Sequence, residues 1–476
     1  MQTFKFLIGG KLVDGATKSA VINPATEQPV ADAPRADAHQ INQAVAAAKA
    51  AYPAWSAKTV EERRKVLMKV ADVIDANAEE LARLLTQEQG KPLMFAKGEV
   101  GGMAAFFRYF AALELPVKVV DDTATRRAEM HRRPLGVVAA IIPWNFPLAL
   151  LGSKLPTALI VGNTIVVKPA GTTPLATLRF GELIKDVVPP GVINVVADNN
   201  DLGDVLTRHA DVRKVSFTGS TPTGKRVMAC AAETLKRVTL ELGGNDAAIV
   251  LDDINPKEVA QGLFMGAFFN SGQVCIALKR MYVHEKVYDA VVAELAKIAD
   301  GATVGDGLKE GVMFGPLQNK MQYEKVKAII EDAKQHGKIV AGGVVEGTKG
   351  YFIRPTIVRD IAEGARLVDE EQFGPVVPVI KFSDVEDAVR RANASPYGLG
   401  GSVWSGNTER AIAVAARLEC GTAWVNKHCE LAPNIPFGGA KSSGMGVELS
   451  DEGLAEFTQV QIINVQKPAA SNAKAA

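Results

Sequence analysis

Cys275 sits in the stretch Phe269-Asn270-Ser271-Gly272-Gln273-Val274-Cys275-Ile276-Ala277. An apolar helical run (Leu263, Phe264, Ala267, Phe268) precedes it, and the strand-like Arg280-Met281-Tyr282-Val283 follows. A thiol after a flexible Ser-Gly pair, between a helix end and a buried strand, is sited to act as a nucleophile, because the thiolate is reactive and nearby dipoles can lower its pKa. A lone cysteine in apolar surroundings is also a common small core residue, so Cys275 alone does not make an enzyme. Glu241, in Thr239-Leu240-Glu241-Leu242-Gly243-Gly244, is a second candidate. A carboxyl at the apolar end of a strand acquires a raised pKa and can serve as a base; an exposed strand-end Glu is the competing reading. The turn Thr218-Gly219-Ser220-Thr221-Pro222-Thr223-Gly224 opens a helix, with Pro222 suited to the first turn. Unpaired N–H groups at such a point favour a phosphate. Only Gly219 and Gly224 flank it, so it is not GxGxxG, and an ordinary strand-to-helix turn fits equally. Glu370-Glu371-Gln372-Phe373-Gly374-Pro375 puts paired acids before an aromatic and a tight turn, suited to ribose hydroxyls or to a solvated loop.

These groups need elements to hold them. A chain of 476 residues suggests two or three domains. With 54 Lys and Arg against 53 Asp and Glu, no global field draws it to nucleic acid or membrane. The four cysteines (Cys230, Cys275, Cys420, Cys429) lack CxxC spacing and fit reduced thiols in a cytoplasmic setting. No metal-ligand cluster, repeat or heptad is evident, and the first residues do not resemble a signal peptide. Residues 134–153 carry no charge between Pro134 and Ser153, but Pro143, Trp144, Asn145 and Pro147 interrupt them, so they read as strand, turn and helix rather than a membrane span.

Residues 4–30 read as short strands, with Asp14-Gly15 a hairpin signal. Asp37 opens a helix that Pro53 should stop. Thr59 with Glu62 forms a capping box, and Asn77 with Glu80 opens a helix closed by Gly90 and Pro92. A fourth helix is expected from Met103 to Leu113. Residues 117–133, with Arg126, Arg127, Arg132 and Arg133 among acids, read as an exposed hairpin and not a nucleic-acid patch. From residue 135 strands and helices alternate: Val137 to Ile142, a helix to Gly162, Thr164 to Val167, a helix capped by Thr173-Pro174, Val192 to Val196, then Val215 to Phe217. This is the pattern of a doubly wound α/β domain. A second α/β segment begins near Ala247 and carries Cys275, and a β-like Val460 to Val465 precedes a disordered-looking tail.

Together the pieces resemble the aldehyde dehydrogenase superfamily over nearly the whole chain. The motifs are Pro143-Trp144-Asn145-Phe146-Pro147, Val167-Lys168-Pro169, Phe217-Thr218-Gly219-Ser220, Glu241-Leu242-Gly243-Gly244, Asn270 to Cys275, Glu371-Gln372-Phe373-Gly374-Pro375 and Pro436-Phe437-Gly438-Gly439. The resemblance implies an α/β fold in three parts: a Rossmann-like cofactor domain (1–116 and 136–246), a catalytic domain (247–440) and a small β oligomerisation segment (117–135 and 457–476). It also implies oxidation of an aldehyde by NAD or NADP. Cys275 would attack the aldehyde, Asn145 and the cysteine N–H would hold the oxyanion, and Glu241 would activate water to release the acid from a thioester.

By the same resemblance Lys168 meets the adenosine ribose, Glu371 the nicotinamide ribose, Phe373 the nicotinamide, and Gly219 and Ser220 the pyrophosphate, with Trp144 and Gly243 nearby. Gly171 stands where many NAD-preferring relatives carry Glu; the expectation is that it leaves space, removes a repulsion and tolerates NADP. Phe146, Leu150, Ile276, Leu431 and Phe437 would line the substrate tunnel, implying a neutral aliphatic or aromatic aldehyde, unless His428 or Lys427 turns inward. Cys429 would lie near the mouth, and Lys279 and Arg280 would be structural. A homodimer or homotetramer is expected. The alternatives are a CoA-acylating semialdehyde dehydrogenase, against which Glu241 argues, and a non-catalytic structural or binding homologue.

Overall fold

Continuous β-branched runs become strands buried on both faces, as parallel sheets require. In the computed structural model, which describes residues 3–345 and 349–468, Val137–Ile141 and Thr164–Lys168 are buried along their whole length and pair in parallel. They centre an eight-stranded sheet ordered Lys11–Val13, Phe6–Ile8, Ile193–Val195, Thr164–Lys168, Val137–Ile141, Val212–Thr218, Arg237–Glu241, Gly444–Met445. The five inner strands are parallel, and antiparallel strands close both edges. From Val137–Ile141 the chain moves outward on one side, then returns and continues on the other. That reversal opens a crevice beyond the carboxyl ends of Val137–Ile141 and Val212–Thr218, where ligands of such sheets bind.

A seven-stranded sheet runs Lys338–Val344, Ile353–Arg359, Val376–Phe382, Leu278–His284, Asp246–Val250, Gly400–Trp404, Thr422–Val425, parallel except for its first pair. Alternate residues serve two cores: Ala247 and Ile249 face one, Ala248 and Val250 the other. Arg237–Glu241 of the first sheet ends five residues before Asp246–Val250 of the second begins. Hence Glu241 leaves one sheet beside the point where the chain enters the other. A third sheet orders Thr458–Gln466, Arg126–Pro134 and Lys118–Asp122. Val119, Val120, Val460, Ile462, Ile463 and Val465 on it are 38–52% exposed. The tail at 469–476 lies outside the described residues.

Several local expectations are corrected. Asp14-Gly15 is no hairpin: Phe6–Ile8 and Lys11–Val13 pair around Gly9-Gly10, both at positive φ, and Asp14-Gly15 links that pair to the separate Thr17–Asn23 and Gln28–Arg35 ribbon. Pro53 does not end its helix, which runs Ala38–Ser56. The Thr59–Glu62 capping box forms as expected, whereas Asn77 makes no side-chain cap. The fourth helix begins at Leu93, straight after Pro92, and ends at Ala112. Thr173 does not cap Leu175–Ile184; the buried Glu88 carboxyl does, accepting from the N–H of Leu175 (2.6 Å) and Ala176 (2.9 Å). Burial at that helix end drives the Glu88 pKa up to about 8.

Candidate active site

The cysteine segment follows the helix Pro256–Phe268, and Asn270, Ser271 and Gly272 all take positive φ (52°, 55° and 70°). Three successive left-handed residues reverse the chain sharply, and Asn270, Ser271 and Gly272 are all buried. Asn270 Nδ2 donates to Gln273 O (3.3 Å), Gln273 Nε2 to Asn270 O (3.0 Å), and Ser271 Oγ to Gly315 O (2.8 Å). A Cβ on Gly272 would run into the backbone of Gly374, so glycine is required by both conformation and contact. Beyond the turn, Lys279 Nζ donates to Val274 O (2.9 Å) and Cys275 O (2.5 Å). The Cys275 thiol itself is driven up to about 12, by burial first, with Lys279 opposing and Glu241, Cys429 and Asp246 adding to the rise.

Asn145 ends the turn between Val137–Ile141 and the helix Pro147–Ile160, and it is 4% exposed. Its Nδ2 donates to Gln273 O (3.1 Å), two residues before the cysteine. Two residues outside any motif hold it there. Lys91 Nζ donates to Asn145 O (2.9 Å), pairs with Glu99 (2.5 Å) and lies 3.8 Å from the Phe146 ring centre. Glu99 in turn accepts from the N–H of Leu148 (2.9 Å) and Ala149 (3.1 Å), capping the helix.

Glu241 presents the opposite situation. It is 3% exposed, and neither carboxylate oxygen has a hydrogen-bond partner among the described residues. Burial, then the charge of Glu448, holds its pKa well above the ordinary carboxylate range, with Lys154 opposing. Glu448 and Lys154 form a buried ion pair, to which Ser153 (3.1 Å) and Ser216 (3.3 Å) also donate.

The remaining expected residues fall in two groups. At the crevice, Gly219 donates its N–H to Glu241 O (3.0 Å), so that N–H is engaged. Ser220 caps Thr221–Ala232 by accepting from Thr223 N. Trp144 and Phe373 meet edge to face at 5.2 Å. Glu371 accepts from Gly244 N (2.9 Å), packs on Gly243 and lies 3.4 Å from Lys279 Nζ. Lys168 is buried against Asp198 (2.5 Å). Gly171 does not leave open space: a Cβ there would lie 2.5 Å from Asp198 O and 3.1 Å from Asn199 Cα. In the second group, Phe146, Leu150, Ile276 and Phe437 join one apolar cluster with Cys275 and Cys429, while Leu431 stands at 44% exposure. Phe95 and Phe269, absent from the expected set, extend the aromatic wall: Phe269 lies 5.1 Å from Phe95 and 6.0 Å from Phe146. His428 does turn inward, but both ring nitrogens are engaged, and burial pushes its pKa down to about 3. Lys427 stays outside, paired with Glu430.

The family model described as the aldehyde dehydrogenase family matches residues 12–463. The chain belongs to the aldehyde dehydrogenase family. It is similar to a phenylacetaldehyde dehydrogenase of Pseudomonas fluorescens, 41% identical over 95% of this chain and 94% of that one. It is also similar to a mitochondrial succinate-semialdehyde dehydrogenase of Arabidopsis thaliana, 40% identical over 96% of this chain and 88% of the other. Among solved structures, an aldehyde dehydrogenase of Bacillus cereus in complex with NAD+ superposes with a TM-score of 0.95 at 38% identity, covering 98% of this chain and 97% of that one. The α/β fold of the family is therefore present throughout, and the chain is an oxidoreductase of this class. No helix among the described residues is long and apolar enough to cross a membrane. Lys91, Glu99, Glu88, Lys154 and Glu448 were missed from sequence because each lies far along the chain from the group it holds; only their charge within apolar helical runs or turns signalled them.

Proposed function

We propose that the chain oxidises a neutral aliphatic or aromatic aldehyde to its carboxylic acid with NAD or NADP, through Cys275, Asn145 and Glu241. The observation that carries this reading is the Glu241 carboxyl, buried without a partner and close enough to the cysteine to raise its pKa. A structural carboxyl is ordinarily hydrogen-bonded; an unpaired one beside a thiol is placed to exchange a proton with it.

The thiol must lose its proton as the bond from Sγ to the aldehyde carbon forms, and Glu241 is the base at hand. Asn145 Nδ2 and the Cys275 N–H stabilise the resulting oxyanion. The crevice fits a dinucleotide: the 12-residue helix Thr221–Ala232 starts at its edge, Glu371 is held by Gly244 and Lys279, and the Trp144–Phe373 pair offers an aromatic wall. Lys168, Gly219, Ser220, Gly243, Glu371, Phe373 and Trp144 would hold it. Bound there, an oxidised nicotinamide would supply the hydride acceptor for the tetrahedral carbon, and Cys275 would be left carrying a thioester. Once the proton taken from the thiol has passed to solvent, Glu241 takes a proton from water, which adds to the thioester carbonyl; collapse releases the acid and the Cys275 thiolate, which Glu241 reprotonates.

For the substrate, the Phe95, Phe146 and Phe269 rings with Leu150, Ile276 and Phe437 favour an apolar aldehyde. The nearby cations support this, since Lys91 is bound to Glu99 and Lys279 to Glu371 and two carbonyls. Residues 1–116 and 136–246 form the cofactor domain and 247–440 the catalytic domain. The three-stranded sheet, with its exposed valines and isoleucines and two open edges, is the segment through which copies assemble as a dimer or tetramer. Four free cysteines suit a reducing compartment such as the cytoplasm.

The test is reduced-nicotinamide absorbance at 340 nm with NAD and NADP against a panel of aldehydes, with and without CoA, for the wild type and Cys275→Ala. Acid formation that Cys275→Ala abolishes is the expected result. A requirement for CoA would replace water as the acyl acceptor. Silence across the panel would make the chain a non-catalytic homologue, and turnover surviving in Cys275→Ala would remove the nucleophile.

A further inference from the structure

His428 follows the strand Thr422–Val425 and lies more than 150 residues from the cysteine segment, yet its side chain is completely buried beside it. Its Nε2 is 3.0 Å from Ile276 O, the carbonyl of the residue after Cys275. Its Nδ1 is 2.9 Å from Ser402 Oγ, and that hydroxyl accepts from Trp404 Nε1 at 3.0 Å. With the Trp404 donor fixed, the Ser402 hydroxyl proton is left to go to Nδ1, which assigns the proton on the imidazole to Nε2. Nε2–H then donates to Ile276 O. The ring also lies 4.9 Å from the Trp424 ring, and a Cβ on Gly266, in the helix leading to the cysteine segment, would lie 3.1 Å from His428 Cβ.

The carbonyls of Val274 and Cys275 are held by Lys279, and that of Ile276 by His428. Three consecutive carbonyls around the nucleophile thus each receive a side-chain donor, two from one side and one from the other. The Lys279 bond to the Cys275 carbonyl fixes the peptide that follows the nucleophile, and the His428 bond to the Ile276 carbonyl fixes the next one, Ile276–Ala277, so the two together restrain the backbone on the C-terminal side of Cys275. The brace behind His428 is itself anchored. Asn426 accepts from Ser405 N (2.9 Å) and donates to Ser405 O (3.0 Å), and Trp424 Nε1 donates to Glu430 O (3.0 Å).

We propose that His428 is a positioning residue for the nucleophile, a neutral donor that locks the Ile276–Ala277 peptide and, with Lys279 holding the Cys275 carbonyl, keeps Sγ and the Cys275 N–H aimed together at the aldehyde carbonyl. This rests on the reading of Cys275 as the nucleophile. His428 touches neither substrate nor cofactor; the carbonyl of Ile276 is the atom through which it acts. Asp246, 3.9 Å from Nε2, is beyond hydrogen-bond reach and is not its partner.

The experiment compares His428→Phe, which keeps a ring against Trp424 and removes both nitrogens, with His428→Gln, whose amide can donate near the place of Nε2. Cys275→Ala and wild type run alongside, under saturating NAD and an aldehyde the wild type turns over. In His428→Phe, kcat is expected to fall about 10- to 100-fold, the cost of a nucleophile displaced by a fraction of an ångström to an ångström, while KM for NAD stays within about twofold. His428→Gln should recover most of the loss. Wild-type kcat in His428→Phe overturns the proposal, and so does a His428→Gln variant as impaired as Phe, because packing alone would then be the role. Should His428→Phe fail to fold, Ser402→Ala is read instead: a fall in kcat with KM for NAD unchanged supports the brace, and unchanged kcat overturns it. Turnover surviving in Cys275→Ala would be the failure of the nucleophile reading itself, which none of the His428 outcomes mimics.

Discussion

The cysteine segment and the end of the strand Arg237–Glu241 are built on opposite terms. Around Cys275, Asn270 Nδ2, Ser271 Oγ, Gln273 and the carbonyls of residues 274–276 have partners, and of the Asn270 amide only Oδ1 has none among the described residues. Glu241, also buried, has none for either carboxylate oxygen among the described residues. The first arrangement fixes one atom in space, because a nucleophile gains most from a single approach. The second leaves a carboxyl able to reorient toward a thiol, a water or a proton donor in turn. Leaving a buried carboxyl unpaired is costly to the fold, and burial together with the charge of Glu448 raises its pKa well above the ordinary carboxylate range. The contrast is between an aimed group and a poised one.

The largest expected effect comes from disabling the poised group. Glu241→Gln keeps size and burial but cannot take a proton, so steady-state turnover should fall by about 10²- to 10⁴-fold. If Glu241 serves mainly water activation, rapid mixing will still show a burst of reduced nicotinamide matching one acyl-enzyme per site. Loss of the burst as well would assign it the thiol's proton too. A variant with wild-type kcat would end its role in either step.

Next is the aimed group's scaffold. Gly272→Ala places a left-handed alanine, at roughly 1–2 kcal/mol, against the backbone of Gly374. The apparent Tm should drop by several degrees and kcat should fall with it. Ser271→Ala, which loses one hydrogen bond without strain, should lower the Tm by less. Equal melting temperatures for wild type and Gly272→Ala would show that the segment is looser than its bonding implies.

How much of this was legible in the sequence differs between the same two regions. Apolar runs such as Val137–Ile141 and their alternation with helices gave the doubly wound sheet, because burial on both faces leaves a compositional mark. The motifs brought Cys275, Asn145 and Glu241 forward by residue type. What stayed hidden was the set of partners. Lys91, Glu99 and His428 reach Asn145, its helix and Ile276 from 54, 49 and 152 residues away, and no local period encodes such pairings. Burial, the first cause of the raised Cys275 pKa, is likewise a property of the assembled fold that no local motif announces. Thr173 failed as a boundary mark because Glu88, distant in sequence, supplies the cap, and Pro53 failed because it sits within the last turn of a helix that runs on to Ser56.

A smaller effect separates the poised carboxyl from its surroundings. Glu448 raises the Glu241 pKa and Lys154 lowers it. Glu241 acts as a base only when ionised, so kcat falls as the pH drops through its pKa. Glu448→Gln removes the negative neighbour and leaves Lys154 uncompensated, and both changes favour ionised Glu241. The acid limb of the pH–rate profile should therefore move to lower pH, by about one pH unit. Movement to higher pH, or none, would detach the Lys154–Glu448 pair from the base.

The smallest effect concerns the far end of the crevice, where Gly171 and Lys168 meet Asp198. Gly171 carries no charge to repel a 2′-phosphate, but the place of its Cβ is taken by the Asp198 backbone, and the Asp198 carboxylate lies against Lys168. That carboxylate also accepts from the N–H of Asn200 (3.0 Å) and Leu202 (2.8 Å), so it is fixed in place. Lys168 is thereby neutralised before any nucleotide arrives, and a phosphate beside it would meet an ion pair rather than a free cation. Asp198→Asn retains an oxygen for these N–H groups and removes the charge. The ratio of kcat/KM with NADP to that with NAD should rise several-fold in this variant, chiefly through a lower KM for NADP. An unchanged ratio would mean that Asp198 only shapes the loop and that the charge near the ribose is set elsewhere. A fall would reverse the argument, with the carboxylate helping to admit the phosphate by holding Lys168 toward it.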